Sequence, residues 1–296
     1  MQPARSTTPV GTSRGPQRRP SVPLGLALVA ELVVAATLLG QSPVASPLRP
    51  TPPAAPLPAL AAPTGPVLHL ADGRTVRLVG TAPLLTRIAA EIGSAVDAVA
   101  GFWGDDWSRD IVIVAADSDA QFAAEAGDPY RQWTGVAAVT VADAFDPSRR
   151  TVTGQRIVFA EGANAMSEAS LRTVLRHELF HYASRADTTA DAPQWLTEGV
   201  ADYVGRPATP VTRAATPAAL PSDADLDAQG AQRSAAYDRA WLFARFVADS
   251  YSAPALRRLY LLACGPGHPD PTTAVSVALG TPLPDLLSRW QRWLGG

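Results

Sequence analysis

Two of the four histidines in this sequence lie four residues apart, with a glutamate between them, in LRTVLRHELFHYASR (residues 171–185). On a helix, at about 100° per residue, His177 and His181 share one face and lie one turn apart, so both imidazoles can hold one ion. The spacing H-E-x-x-H predicts a zinc site with two neutral imidazole ligands. Glu178 is then placed to take a proton from metal-bound water, which is the chemistry of metal-assisted hydrolysis. The alternative is a pair of surface histidines on an amphipathic helix.

A catalytic zinc site needs a third protein ligand and leaves its fourth position to water. The segment PQWLTEGVADYVG (residues 193–205) contains the candidate. Pro193 favours a helix start and Gly205 a helix stop, which puts Glu198 and Asp202 on one helical face. A turn between the two helices would bring Glu198 back to the histidines. The alternative for these two acids is an ordinary solvated face.

Taken together, HELFH and the later WLTEGVADY resemble the gluzincin metallopeptidases, the thermolysin-like group. The likeness is greatest to the compact exported members called the peptidase MA family, and it covers residues 67–295. It implies that His177, His181 and Glu198 are zinc ligands and that Glu178 is the general base. It also implies that Asp202 holds a ligand imidazole through the second ring nitrogen.

The same resemblance implies zinc-dependent hydrolysis of a peptide or protein substrate. It makes QRIVFAE (residues 155–161) the edge strand along which an extended peptide would lie antiparallel. Tyr237 is the candidate hydrogen-bond donor to the oxyanion, against the alternative of a half-buried aromatic that only packs. The remaining histidines, His69 and His268, fall in a predicted strand and a predicted loop and match no such role.

Other interpretations of these motifs are weaker. Peptide deformylases also carry H-E-x-x-H but take their third ligand from an upstream cysteine, and the only cysteine here is Cys264. A non-catalytic exported module that binds zinc or a partner is the second class of function, and the presence of all five site residues argues against it. Three aspartates in residues 223–227 could suggest calcium, but without a ligand-spaced loop they favour a solvated turn.

Composition excludes several further classes. The 296 residues include 47% hydrophobic side chains, enough for a sizeable core. The net charge is -2 and the sequence contains no lysine, so nothing resembles the basic stripe of a nucleic-acid-binding protein. A single cysteine permits neither an intramolecular disulfide nor an all-cysteine metal site.

The N-terminal residues 1–46 are predicted to be a signal peptide or a membrane anchor. Four arginines precede the apolar stretch VPLGLALVAELVVAATLLG (residues 22–40). That stretch is nearly long enough to anchor the chain in a membrane, but Glu31 inside it costs about 2.5–3.5 kcal/mol on insertion. The small residues 44–46 favour cleavage. With or without cleavage, the rest of the chain is expected outside the cytoplasm, secreted or anchored.

The remaining elements must position the site. Residues 47–66 are predicted to be a Pro/Ala-rich linker and residues 67–295 a single domain. Strands are expected in 67–80, 110–116, 134–145 and 154–162, and helices over 84–104, around 119–127, from Ser167, over 193–205, 233–251, 253–263 and 283–295. Residues 206–232 could be a lid, a self-inhibiting segment or a linker. The order predicts a zincin-like α+β fold: a sheet-rich part (67–165) with a small mixed or antiparallel sheet, then a helical part (166–295) that begins with the H-E-x-x-H helix.

Overall fold

A computed structural model describes residues 65–295 of the chain, except 81, 128–132, 134 and 209–217. The predicted signal or anchor (1–46) lies outside the described residues, as does nearly all of the predicted linker. Within the described ranges, no helix combines the length and the apolar character needed to cross a membrane.

Five strands form the main sheet, in the order β1-β2-β3-β7-β4, and two more form a separate hairpin. The strands are β1 (Val67–His69), β2 (Thr75–Gly80), β3 (Asp110–Ala115), β4 (Ala138–Val141), β5 (Ala144–Asp146), β6 (Thr151–Thr153) and β7 (Arg156–Phe159). The pairs β2/β3 and β3/β7 are parallel, whereas β1/β2 and β4/β7 are antiparallel. The sheet is therefore mixed, and the β5/β6 hairpin is an element that the sequence pattern did not predict.

The prediction that residues 155–161 form an edge strand is wrong. β7 pairs with β3 on one side and with β4 on the other, so it lies inside the sheet. Its buried residues are consistent with this position: Ile157, Val158 and Phe159 are all fully buried. Among the described strands, the edge on this side is β4, which precedes β7 in the chain and returns antiparallel to it.

The seven predicted helices follow in the expected order, with α5 and α8 in addition, and the second half of the chain is mainly helical. They are α1 (Ala82–Trp103), α2 (Asp119–Glu125), α3 (Glu168–Ser184), α4 (Gln194–Gly205), α5 (Asp223–Leu226), α6 (Ala231–Ser250), α7 (Ala253–Cys264), α8 (Pro271–Leu279) and α9 (Leu283–Gly295). Short 3-10 helices flank α3, at Glu161–Ala165 and Arg185–Asp187. The predicted α+β plan, with a small sheet and a helical C-terminal half, is confirmed.

Helix α8 was not predicted, although its ends carry clear signals. Asp270 caps its first turn by accepting hydrogen bonds from the backbone of Thr272 and Thr273, and Gly280 ends it with a φ of 64°. Its β-branched threonines and valines are weak helix formers, which obscured the pattern.

The aspartate-rich segment forms α5 rather than an open turn. Asp225 accepts hydrogen bonds from the backbone and hydroxyl of Ser222 in a capping box, and it pairs with Arg239 of α6 at 3.1 Å. These contacts explain the role of Asp225 without a cation.

Two glycines let α4 approach its neighbouring helices closely. A Cβ atom at Gly199 would lie 2.5 Å from the carbonyl oxygen of Ala240 on α6, and one at Gly205 would lie 2.9 Å from that of Thr173 on α3. Real Cβ atoms essentially never come so close. The two glycines therefore allow α4 to pack between α3 and α6, which sets the position of Glu198.

Candidate metal centre

Helix α3 is held in the middle of the molecule by contacts on several sides. Its side chains are buried from His177 to Ser184 without a break. Phe180 packs edge-on against Trp103 of α1 and Tyr260 of α7, with ring centroids 5.5 and 5.4 Å away. The Tyr182 hydroxyl donates a 2.8 Å hydrogen bond to the carbonyl oxygen of Asp110 on β3. The helix is thereby fixed against both the sheet and the C-terminal helices.

Three possible ligand atoms from α3 and α4 converge. The Nε2 atoms of His177 and His181 lie 3.1 Å apart, and Glu198 Oε2 lies 3.3 Å from the first and 3.5 Å from the second. Four ligands about 2.0–2.2 Å from a tetrahedral zinc lie roughly 3.3–3.6 Å from one another, so the observed spacing is within about 0.2 Å of that of a Zn²⁺ site. In the described part of the chain, these three residues form the one such group of possible ligands.

The Glu198 carboxylate provides a second test of this fit. Its Oε2 atom is buried and has no hydrogen-bond donor among the described residues. A buried oxygen without a donor calls for a further partner, and a cation would be one. The chemistry of the donors, two imidazoles and one carboxylate, is that of a zinc site with one position left for water.

Asp202 holds the far side of the His177 ring. Its Oδ1 atom lies 2.9 Å from His177 Nδ1, and its Oδ2 atom accepts a 2.6 Å hydrogen bond from Arg206. Arg206 in turn pairs with Asp238 of α6 at 2.8 Å. With its proton on Nδ1 and bonded to Asp202, a neutral His177 presents the lone pair of Nε2 to His181 and Glu198.

The Glu178 carboxylate contacts the sheet. The Thr140 hydroxyl of β4 lies 2.8 Å from both Glu178 Oε2 and the Glu178 backbone carbonyl oxygen, between which its one proton is shared, while Glu178 Oε1 is buried without a partner among the described residues. Burial raises the pKa of the Glu178 carboxyl, although the two histidines and the Thr140 hydroxyl oppose this. One carboxylate oxygen is therefore fixed and the other is left for a ligand.

Without a metal, the buried charges of the site stabilise one another. Burial disfavours the charged form of His177, but Asp202 and Glu198 outweigh it and raise the pKa of this histidine to about 10. Burial likewise raises the pKa of Glu198, yet the two histidines lower it to about 2. The pKa of Asp202 is also lowered, since Arg206 and His177 overcome the effect of burial.

The alternative interpretations of the site residues are wrong. His177 and His181 are 0% and 4% exposed, and Glu198 and Asp202 are 3% and 0% exposed, so neither surface histidines nor a solvated acidic face describes them. The sequence spacing alone could not show this, because the burying surface comes from α1, α6 and the sheet.

Tyr237 lies in the second turn of α6 and is 2% exposed. Burial raises its pKa well above the ordinary value, with further contributions from the nearby carboxylates of Glu198 and Asp202. It is therefore a neutral phenol close to the site. Neither His69, on β1, nor His268, whose Nε2 lies 3.3 Å from Asp191, belongs to the cluster of possible ligands.

Sequence reasoning missed three residues around the centre. Arg206 could have been found, because it lies four positions after Asp202 at the end of the same helix. Thr140 carries no signal, since it comes from a strand distant in the chain. Arg185, one turn beyond His181, lines a small pocket beside His181 and Glu198.

Comparison with known proteins adds only a loose structural likeness. No protein-family model matches the sequence, and no curated protein matches it. Among the solved structures that match, three align with 78% of this chain and 51% of theirs. They are the M1 zinc metallopeptidase from Deinococcus radiodurans (17% identity, TM-score 0.44), a mutant of it (18%, 0.44), and a two-domain M1 zinc metallopeptidase mutant bound to L-arginine (16%, 0.45). This chain thus spans about half the length of those proteins, and at these values the likeness carries no functional conclusion.

Proposed function

We propose that this chain is a zinc metallopeptidase of the gluzincin type, which hydrolyses peptide bonds. One observation supports this most strongly. The ligand atoms of His177, His181 and Glu198 converge at 3.1–3.5 Å, and the adjacent Glu178 keeps one buried carboxylate oxygen without a partner. A purely structural zinc site has no need of such a carboxylate, because its four positions are all filled by protein ligands.

His177, His181 and Glu198 would hold the ion. When bound, zinc would lower the pKa of a water molecule toward 7 and polarise the carbonyl group of the substrate. Asp202 keeps His177 in the tautomer that presents Nε2, and Arg206 keeps Asp202 charged.

Glu178 is the proposed general base. Its Oε1 atom accepts a proton from the attacking water, and the same carboxyl group then gives that proton to the leaving amine. The hydrogen bond from Thr140 to Oε2 fixes which oxygen does this work. The raised pKa suits both steps, since a base for this reaction works best when its pKa is near the working pH.

Tyr237 is the proposed donor to the oxyanion that forms on the substrate carbonyl. Its hydroxyl is protonated at neutral pH, as in any tyrosine, and the raised pKa keeps it so in the more basic range as well, so that it can donate. The charges of Glu198 and Asp202 contribute to raising its pKa, which is consistent with a position near the proposed ligands.

An extended substrate is expected along β4, in place of the strand first predicted. Among the described strands, β4 pairs only with β7. Its four residues are buried, so a peptide would have to displace what covers the second edge in order to pair with it. Thr140 on β4 contacts Glu178, which puts this strand beside the proposed base. Backbone hydrogen bonds to such an edge bind peptides largely without regard to their sequence.

We also propose that the protein acts outside the cytoplasm. This rests on the four arginines and the apolar stretch at residues 22–40. The mass of the protein recovered from a cell-envelope or culture fraction would test it. A protein that starts after residue 46 indicates a cleaved signal, and an uncleaved membrane-bound protein indicates an anchor. Recovery only in the cytoplasm would contradict export.

The substitution Glu178→Gln tests the proposed reaction. The amide keeps the size of the side chain but cannot accept the proton, so we expect peptide hydrolysis to fall roughly 10²- to 10⁴-fold while zinc content stays at the wild-type level. Glu168→Gln is the matched control, because Glu168 lies on the same helix but is exposed and pairs with Arg87. Zinc-loaded wild-type protein that cleaves no peptide would favour the non-catalytic module instead.

A further inference from the structure

Arg185 lies one helical turn beyond the proposed zinc ligand His181. It follows the last residue of α3 and begins the short 3-10 helix Arg185–Asp187. Four residues of helix correspond to about 6 Å along the axis. The side chain is only 6% exposed, so this guanidinium is buried close to the centre.

The charge of Arg185 has no close partner in the described part of the chain. Its Nε atom is buried without a hydrogen bond, and no carboxylate lies within ion-pair distance of it there. The nearest acid in sequence, Asp187, pairs with Arg150 at 2.8 Å. The Arg185 guanidinium does contact the ring of Phe145, whose centroid lies 5.1 Å from the guanidinium carbon. Burial lowers the pKa of Arg185, and the more distant Tyr260, Glu198 and Glu178 offset this only in part.

A buried cation without a hydrogen-bonded anion is costly, and it gains most from an anion that arrives with a ligand. Arg185 faces such a place. Most residues that line the pocket beside His181 and Glu198 are polar, although more than half of the surface they present to it is apolar, and Arg185 supplies the only guanidinium among the described residues that line it. Its volume of about 20 Å³ admits one or two water molecules or one small polar group.

We propose that Arg185 binds a carboxylate of the substrate and so restricts the enzyme to peptides with a negative charge beside the cleaved bond. This inference rests on the proposed function, because the pocket is defined relative to the zinc ligands. An extended peptide advances about 3.3–3.6 Å per residue, so the turn of about 6 Å between His181 and Arg185 corresponds to one or two residues. The planar guanidinium matches the two oxygens of a carboxylate.

Such a carboxylate has two sources in a peptide. It is either the chain's own C-terminal group, which would make the protein a carboxypeptidase, or the side chain of an aspartate or glutamate. Both present the same group to Arg185, and blocked dipeptides can separate them.

Binding of such dipeptides to the zinc-loaded full chain, carrying Glu178→Gln to prevent turnover, tests the inference. Three acetylated dipeptides are needed. The first contains glutamine and has a free C-terminal carboxylate, the second contains glutamate and has an amidated C-terminus, and the third contains glutamine, has an amidated C-terminus and therefore carries no carboxylate. Calorimetry should give a dissociation constant roughly 10- to 100-fold lower for at least one of the two carboxylates than for the neutral ligand. The free C-terminus and the glutamate identify the two sources.

Arg185→Gln should abolish this preference, and Arg185→Lys should reduce it, because lysine keeps the charge but loses the two-pronged geometry. If Arg185→Gln does not fold, the lysine variant decides. The control is Arg257→Gln, since Arg257 also stacks on an aromatic ring, that of Trp103, but on α7. The inference is overturned if the preference for a carboxylate survives in the folded Arg185→Gln variant or is undiminished in the Arg185→Lys variant. It is also overturned if protein that retains Arg185 shows no such preference. Because no hydrolysis is measured, binding that depends on Arg185 without any turnover of wild-type protein would contradict only the proposed function.

Discussion

His177 and Asp202 are joined by a 2.9 Å contact between Nδ1 and Oδ1, and both side chains are completely buried. This contact orients the ring so that its Nε2 atom lies 3.1 Å from that of His181. The pair therefore links the α3 half of the centre to the α4 half. It also connects the centre to Arg206, whose guanidinium keeps Asp202 ionised.

Asp202→Asn should weaken zinc binding roughly 10- to 100-fold, because an amide accepts a weaker hydrogen bond than a carboxylate and leaves the imidazole less basic and less firmly oriented. Competition with a chelator of known affinity measures this. Asp238→Asn is the matched control: it removes the other partner of Arg206, 2.8 Å away, but does not touch His177. Equal zinc affinity in the two variants would show that Asp202 does not support the ligand.

Thr140→Val should lower kcat/KM roughly tenfold while leaving zinc content unchanged, because it removes the hydroxyl that fixes Glu178 Oε2. This hydrogen bond favours the charged carboxylate, so its loss raises the pKa of Glu178 further. The acidic limb of the pH–rate profile should then move to higher pH. Thr140→Ser keeps a hydroxyl and should retain the wild-type profile; an unshifted limb in the valine variant would count against the role of Thr140.

Zinc binding should release a proton and become tighter as the pH rises. In the metal-free protein the folded-state pKa of His177, about 10, lies above the ordinary 6.5. Its protonation therefore contributes stability that is fully present below about pH 6.5 and is lost as the pH rises through about 10. Zinc binds only the neutral His177 ring, so the His177 proton must leave when zinc binds. The zinc affinity should therefore rise about tenfold per pH unit between about pH 6.5 and 10.

Calorimetry in buffers of different ionisation enthalpy counts the released protons. His268→Gln should release as many as the wild type, since His268 lies outside the centre. An affinity that does not change between pH 7 and 9 would show that His177 is already neutral in the metal-free protein and would contradict its raised pKa.

Gly199→Ala should destabilise the fold by about 1–3 kcal/mol, because its Cβ would lie 2.5 Å from the carbonyl oxygen of Ala240 and force α4 away from α6. Gly93→Ala on α1 is the control. No atom lies within 4 Å of a Cβ there, so this change should be neutral or slightly stabilising. Thermal unfolding of the zinc-free proteins compares them. A stable Gly199→Ala variant would mean that the close approach of α4 and α6 does not matter.

The sequence predicted the components of the centre better than their surroundings. His177, Glu178 and His181 were predictable because one helix fixes their spacing. Glu198 and Asp202 needed in addition the turn that returns α4 to α3. Their burial did not follow from the sequence, since it depends on α1, α6 and the sheet packing around them.

What could not be predicted depends on contacts between distant segments. Thr140 reaches Glu178 only because β4 folds back beside β7, and the same pairing makes the predicted edge strand an inner one. Helix α8 was missed because its threonines and valines have low helix propensity, although Asp270 and Gly280 mark its two ends. That Arg185 has no carboxylate within ion-pair distance among the described residues follows only from the folded structure, since the sequence does not show where the acidic side chains lie.

Hydrolysis of a mixed peptide library by the purified full chain tests the central claim most directly. The products are identified by mass spectrometry after incubation of the zinc-loaded protein, with and without a chelator. We expect new fragments that disappear when the chelator removes the zinc and return when zinc is restored. A protein that holds one zinc ion per chain and yields no new fragment would contradict the proposal that this centre cleaves peptides.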